Sequence, residues 1–219
     1  MTFGLGKYII GAMEIDTIVH GDCLEVMQTF PDKSVDLIVT DPPYGVGLDY
    51  GEYQDTQDNL KMIIDGFMPE ALRVAKIVML TCGNSNQYLY PKPDWTMAWV
   101  IPAGAGQCSW GWLCWQPILV YGKDPYLANG LGARRDIFIS NERSDDSEHP
   151  CPKPLSLWEN IILRASLNDG DLILDPFLGS GTTAVAAKRL YRHWIGIELS
   201  EKYCELARKR VAQCQQPMF

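Results

Sequence analysis

Hydrophobic positions along this chain fall into two rhythms. Four runs are apolar almost without a break: "SVDLIVTD" at 34–41, "KIVMLTCG" at 76–83, "DLILDPF" at 171–177 and "HWIGIEL" at 193–199. Unbroken apolar runs bounded by turn residues predict parallel strands buried on both faces. "EIDTIVHGD" at 14–22 alternates instead and predicts a shorter strand. "DWTMAWVIPAG" and "WQPILVYGK" predict two more strands, joined by "GAGQCSWGWLCW".

The second rhythm repeats every three or four residues. "CLEVMQTF" predicts a helix that stops before Pro31 and Asp32, with Asp22 as its cap and Glu25 three positions on. "NLKMIIDGFMPEALRVA" predicts a helix that Gly66 and Pro69 should bend or divide. "PLSLWENIILRASL" gathers Leu155, Trp158, Ile161, Ile162 and Ala165 on one side. "LGSGTTAVAAKRL" reads as a glycine turn opening a helix. "SEKYCELARKRVAQC" follows Ser200 as N-cap, with Cys204, Ala207, Val211 and Cys214 along one face.

Strand, helix and strand in succession make βαβ units, so the fold class is α/β with a mostly parallel sheet. At 219 residues the chain suits one sizeable core. We expect a single domain, its core formed by 13–121 and 149–214. The Gly-, Asp- and Ser-rich segment 122–148 reads as a loop or small insertion with one short strand, "DIFIS", and 1–12 as a loosely held extension.

Composition narrows the classes. Hydrophobic residues make up 47% and charged residues 21%, as in a soluble globular chain, and no apolar run reaches the roughly 20 residues of a membrane span. The expectation is a chain with no membrane partner. Seven cysteines without a CxxC pair favour free thiols in a reducing cytoplasm, of a prokaryotic or virus-infected cell, over disulfides or zinc. His20, His149 and His193 have no ligand spacing, so no metal is expected. A formal net charge of −8 weighs against tight non-specific phosphate binding but permits a local basic patch.

Two stretches carry chemistry. In "LILDPFLGSGTTAV", Gly179 and Gly181 let the backbone approach a ligand at a strand-to-helix turn. About 20 residues on, the next strand ends at Glu198, where a carboxylate can take both hydroxyls of a ribose. The spacing is not GxGxxG, which disfavours a dinucleotide. In "TDPPYGVG" a buried strand ends on Asp41, an acceptor, followed by two stiffening prolines and the flat face of Tyr44. Acceptors beside an aromatic plate suit an exocyclic amine on a planar base.

Together "GDCLEVMQTFPDKSVDLIVTDPPYG" and "HPCPKPLSLWENIILRASLNDGDLILDPFLGSGTTAVAAKRLYRHWIGIELSEKYCELARKR" resemble the S-adenosylmethionine-dependent amino DNA methyltransferases, in the β-class order. The resemblance covers about 14–50 and 149–211 and is weak over 51–148, mostly in "WQPILVYGK". It implies a permuted Rossmann-like methyltransferase sheet in three layers, ordered 3-2-1-4-5-7-6, with strand 7 antiparallel and both termini close together. It also assigns roles. Asp41, Pro42, Pro43 and Tyr44 form the catalytic pocket. Asp175, Phe177, Gly179, Ser180, Gly181 and Thr182 line the methionine part of the cofactor. Glu198 holds the ribose, Asp22 and Cys23 the adenine, and Lys153 sits near the cofactor carboxylate.

The expected activity is site-specific methylation of adenine N6 in duplex DNA, with the target base flipped out. An aspartate start to the motif favours adenine over cytosine N4. Cytosine N4 or RNA remains an alternative substrate, and a catalytically silent, methyltransferase-like binding protein an alternative class. Cytosine C5 chemistry would need a nucleophilic cysteine, and Cys151 lies outside the base-binding motif. Lys123, Arg134, Arg135 and Arg143 are the expected DNA contacts. Most tryptophans are expected in the core. A homodimer could share the recognition work.

Overall fold

The computed structural model describes residues 9–10, 13–48, 53–141 and 153–215, so Arg143, His149, Cys151 and both chain ends lie outside the described residues. The strands are β1 (Ile9–Ile10), β2 (Met13–Glu14), β3 (Thr17–His20), β4 (Val35–Thr40), β5 (Ala75–Thr81), β6 (Trp95–Val100), β7 (Gln107–Cys108), β8 (Gly111–Trp112), β9 (Trp115–Tyr121), β10 (Ile137–Ile139), β11 (Leu172–Asp175) and β12 (His193–Glu198). The α-helices are α1 (Cys23–Met27), α2 (Gln57–Val74), α3 (Pro125–Ala128), α4 (Leu155–Ala165), α5 (Thr182–Arg189) and α6 (Glu201–Gln213).

The main sheet runs β3-β12-β11-β4-β5-β9-β6-β10. Only β9 is antiparallel to its neighbours. This is the order the resemblance implied, extended at one edge by β10, which pairs in parallel with β6.

The apolar runs explain the layering. On β11, Leu172 and Leu174 face a cluster that includes Leu60, Ile64, Phe67 and Ala71 of α2, and Ile173 faces the other side, among Leu157, Trp158 and Ile161 of α4. Helices therefore cover both faces of the sheet. Helix α2 is not divided: it passes through Pro69 without a break. Its buried face, from Leu60 to Val74, outweighs a proline cost of about 3 kcal/mol. At Gly66 a Cβ would lie 2.9 Å from Leu24 of α1, so this glycine admits the neighbouring helix.

The first strand is also broken. Asp16 turns to φ 58° between β2 and β3, and its carboxylate accepts from the Trp194 N–H at 3.1 Å. Ser200 is the N-cap residue of α6, yet its side chain makes no cap bond. Asp22 does cap α1, accepting from the Leu24 N–H at 2.8 Å.

Candidate active site

Parallel α/β sheets hold ligands beyond the carboxyl ends of their strands. Here the tips of β3, β12, β11 and β4 open into one cleft of about 290 Å³. Asp22, Cys23, Asp41, Pro43 and Lys153 line it, together with Asp175, Phe177, Gly179, Ser180, Thr182 and Glu198. The two motifs, far apart in sequence, thus share a wall. Thr40 ties them directly, donating its hydroxyl to the Asp175 carboxylate at 2.6 Å.

Asp175 is buried, and its acceptors are taken. Oδ1 receives Thr40 and the Phe177 N–H at 3.0 Å, and Oδ2 receives the Thr183 hydroxyl. Burial pushes this carboxyl up to about 6, against the opposing pull of the Thr183 and Thr40 donors. Its visible work is to fix the turn that shapes the cleft.

Glu198 stands at the tip of the neighbouring strand β12. Its Oε2 accepts from the Gly179 N–H at 2.8 Å and its Oε1 from the Ser200 N–H at 2.9 Å. Two backbone donors hold the carboxylate at the cleft wall. Beyond Glu198, after the edge strand β3, lies Cys23, whose thiol burial pushes up to about 12 and so keeps neutral.

The glycine turn departs from its sequence reading at one position. Gly181 does not line the cleft; it faces α6, where a Cβ would lie 2.8 Å from the Ala207 Cβ. At φ 89° it serves helix packing. Gly196 on β12 plays a similar part, leaving no room for a Cβ beneath the Leu178 side chain. Ser180 is buried, and its hydroxyl and carbonyl contact Arg210 Nη1 at 2.7 and 2.8 Å.

At the tip of β4, Pro42 is buried and Asp41 is partly exposed. Asp41 Oδ1 accepts from the Tyr44 hydroxyl at 2.7 Å and from the Thr81 hydroxyl. Asp41 Oδ2 receives the Lys153 ammonium. The same ammonium stands 5.3 Å from the centre of the Tyr44 ring. Gly83, at φ 70°, leaves space beside that ring, since a Cβ there would sit 3.5 Å from its edge carbons.

The loop after Tyr44 is pinned by residues with no motif of their own. Asn86 Nδ2 donates to the Tyr44 carbonyl at 2.7 Å. The buried Asp55 accepts from the N–H groups of Gly45 (2.6 Å), Val46 (3.0 Å) and Leu48 (3.1 Å). Thr81, Asn86, Asp55 and Arg210 are thus site residues that sequence reading missed. Only Thr81 carried a signal, as the last residue of the strand beside Asp41.

Of the expected DNA contacts, Lys123, Arg134 and Arg135 do not line this cleft. Because β9 runs antiparallel, it delivers Gly122 and Lys123 to the end of the sheet where β5 begins. A Cβ on Gly122 would strike the Lys76 carbonyl, 2.6 Å away. Lys123 therefore lies roughly 17 Å along the strands from the level of Thr81, whereas Arg134 and Arg135 directly precede β10, whose Ile137 pairs with Ala98 near that level, at the far edge of the sheet. Arg134 stacks over Tyr126 at 4.7 Å, beside Arg164.

The β7–β8 hairpin occupies the catalytic end instead. Val100 pairs with Trp115, three positions beyond the Thr81–Ile118 pair. The hairpin carries Trp110 at 96% exposure, Trp112 at 66% and, at its base, Trp115 at 42%. The core expectation holds for Trp99, Trp158 and Trp194 but fails here. No residue from 101 to 122 carries a charge.

Comparison with known proteins agrees with this geometry. Residues 96–209 match the N6/N4 DNA methylase family. The Type II methyltransferase M.HpaI of Haemophilus parainfluenzae is 28% identical over 234 aligned positions, covering 89% of this chain and 73% of that protein. The solved M1.HpyAVI–SAM complex superposes with a TM-score of 0.63 at 26% identity, covering 89% of this chain and 98% of the other. The cytosine-N4-specific PvuII DNA methyltransferase shares the fold, with a TM-score of 0.67 at 17% identity over 89% and 85% of the two chains.

Proposed function

Because the chain belongs to the N6/N4 DNA methylase family, an enzyme family of amino-methyltransferases, we propose that it transfers a methyl group from S-adenosylmethionine to adenine N6 in duplex DNA, the target base turned out of the helix. One observation carries the proposal: Asp41 and Glu198, from two distant motifs, line one cleft. The residues present fit the cofactor. The fixed Glu198 carboxylate suits a ribose, Asp22 and the neutral Cys23 suit a purine, and Phe177 with the turn at Gly179–Thr182 suits the methionine part. At 290 Å³ the cleft is close to the lower bound of small-molecule sites, roughly 300 Å³.

Bound S-adenosylmethionine would supply an electrophilic methyl group on sulfonium. The chain's own residues do the rest. An aromatic amine is a weak nucleophile because its lone pair is shared with the ring. Asp41 Oδ2 takes one of its hydrogens and draws the nitrogen toward sp³ geometry. Thr81 and Tyr44 hold Oδ1, so the carboxylate cannot turn away. The Tyr44 face lies against developing positive charge, a contact worth about 1–2 kcal/mol. Asp41 need not remove the proton before transfer; water can take it afterwards. Placement of the two reactants supplies much of the acceleration.

DNA is met at the same end of the sheet. The uncharged β7–β8 hairpin stands about two strand spacings, roughly 10 Å, from β4. Trp110 and Trp112 offer ring faces to bases rather than charges to phosphates, which suits a chain of net charge −8. A flipped base costs a few kcal/mol of stacking, and an exposed tryptophan can replace part of it.

The test is to incubate the protein with S-adenosylmethionine and unmethylated genomic DNA, then digest the product to nucleosides. N6-methyladenine is the expected product. N4-methylcytosine would retain the chemistry and replace the base.

A further inference from the structure

The Lys153 ammonium meets two groups that an acceptor amine also needs. It donates to Asp41 Oδ2, the one carboxylate oxygen not engaged by Thr81 and Tyr44. It lies 5.3 Å from the Tyr44 ring centre, within cation–π range. Its side chain is only 8% exposed, while that of Asp41 is 20% exposed. A buried ammonium reaches such a place only because a carboxylate compensates its lost hydration.

We propose that Lys153 is a positioning residue whose ammonium stands in for the acceptor amine, holding Asp41 toward the Tyr44 face until a base displaces it. This assigns Lys153 to the acceptor side of the cleft and away from the cofactor carboxylate. It rests on the methyl-transfer reading above, in which Asp41 Oδ2 receives the amine.

Two consequences oppose each other in the kinetics. The ion pair competes with the incoming base, which raises the KM for DNA. It also keeps the Asp41 carboxylate ordered where the amine must land, which raises kcat. Removing the ammonium should therefore lower both constants together. A structural role would not do so, since loosening the site raises KM. A cofactor-binding role would weaken S-adenosylmethionine binding instead.

The experiment compares wild type, Lys153→Met and Lys153→Arg on unmethylated genomic DNA, with cofactor affinity measured by calorimetry. For Lys153→Met the expected result is a KM for DNA about threefold lower, a kcat about tenfold lower and a cofactor Kd within about twofold of wild type. Lys153→Arg keeps the cation and recovers most of kcat. A cofactor Kd weakened about tenfold with DNA kinetics otherwise unchanged would overturn the assignment, as would kinetics indistinguishable from wild type. Lysine acylation followed by mass spectrometry reads the pair without turnover. Lys153 should be protected in wild type and become reactive in Asp41→Asn; equal reactivity in both overturns the proposal. A wild-type protein that methylates no DNA, yet protects Lys153, defeats the methyl-transfer reading and leaves the ion pair standing.

Discussion

Thr40 and Asp175 lie 135 positions apart in the chain, and their side chains meet at 2.6 Å across adjacent strand tips. That bond joins the acceptor corner to the glycine corner. It is buried on both sides, so each partner depends on the other for its polar satisfaction. It also gives the cleft a pH-sensitive seam.

Burial raises the Asp175 carboxyl from 3.8 to about 6. The folded state therefore holds this proton at pH values where the unfolded chain has released it. Stability should fall as pH rises from about 4 to about 6 and be flat above, an effect on the order of 3 kcal/mol. Thermal melts across that window, compared with Asp175→Asn, check the sign. The variant should gain relative to wild type as pH rises.

Thr81→Val keeps the shape of the side chain and removes its donor to Asp41. A hydrogen bond to a charged group is worth about 1.5–3 kcal/mol, so kcat should fall by roughly tenfold or more. Cofactor affinity should stay unchanged, because Thr81 does not line the cleft. Steady-state kinetics with calorimetry separate the two.

Glu198→Ala removes the acceptor of both the Gly179 and Ser200 N–H groups. Cofactor binding should weaken by roughly 30-fold, about 2 kcal/mol, through the lost hydroxyl acceptor and the loosened turn. Calorimetric titration with S-adenosylmethionine measures it.

Trp110→Ala should leave folding and cofactor affinity intact, since its side chain is almost wholly exposed. Its KM for duplex DNA should rise about tenfold, in keeping with about 1–3 kcal/mol per stacked base. Arg134→Ala and Arg135→Ala, beside the edge strand β10 and outside the cleft, should change that KM by less than about twofold. Equal losses from all three variants would relocate the DNA surface.

Much of this architecture was readable because buried parallel strands leave a plain sequence mark. "DLIVT" and "DLILD" announce both their burial and the motifs at their ends. The strand order needed more, and came from the resemblance rather than from any pattern of polarity. Where reading failed, the cause was usually long-range. The direction of β9 decides which end of the sheet receives Lys123, and nothing in "WQPILVYGK" encodes that direction locally.

The glycine turn shows a second kind of limit. Gly179 and Gly181 look alike in sequence, yet one gives its N–H to Glu198 and the other makes room for Ala207. Asp55 was invisible for a related reason. A lone aspartate before a helix reads as a surface residue, and only the folded loop shows it gathering three backbone N–H groups behind Tyr44. Lys153 was legible as a site residue, but its partner Asp41 stands 112 positions away.

The most direct measurement is transfer of labelled methyl from S-adenosylmethionine to duplex DNA by wild type and by Asp41→Asn, with cofactor binding matched by calorimetry. Wild type should incorporate label. The variant should bind the cofactor normally and lose at least about 100-fold in rate, because its side-chain amide is a poorer acceptor at the amine. Transfer by Asp41→Asn within a few-fold of wild type would contradict the account.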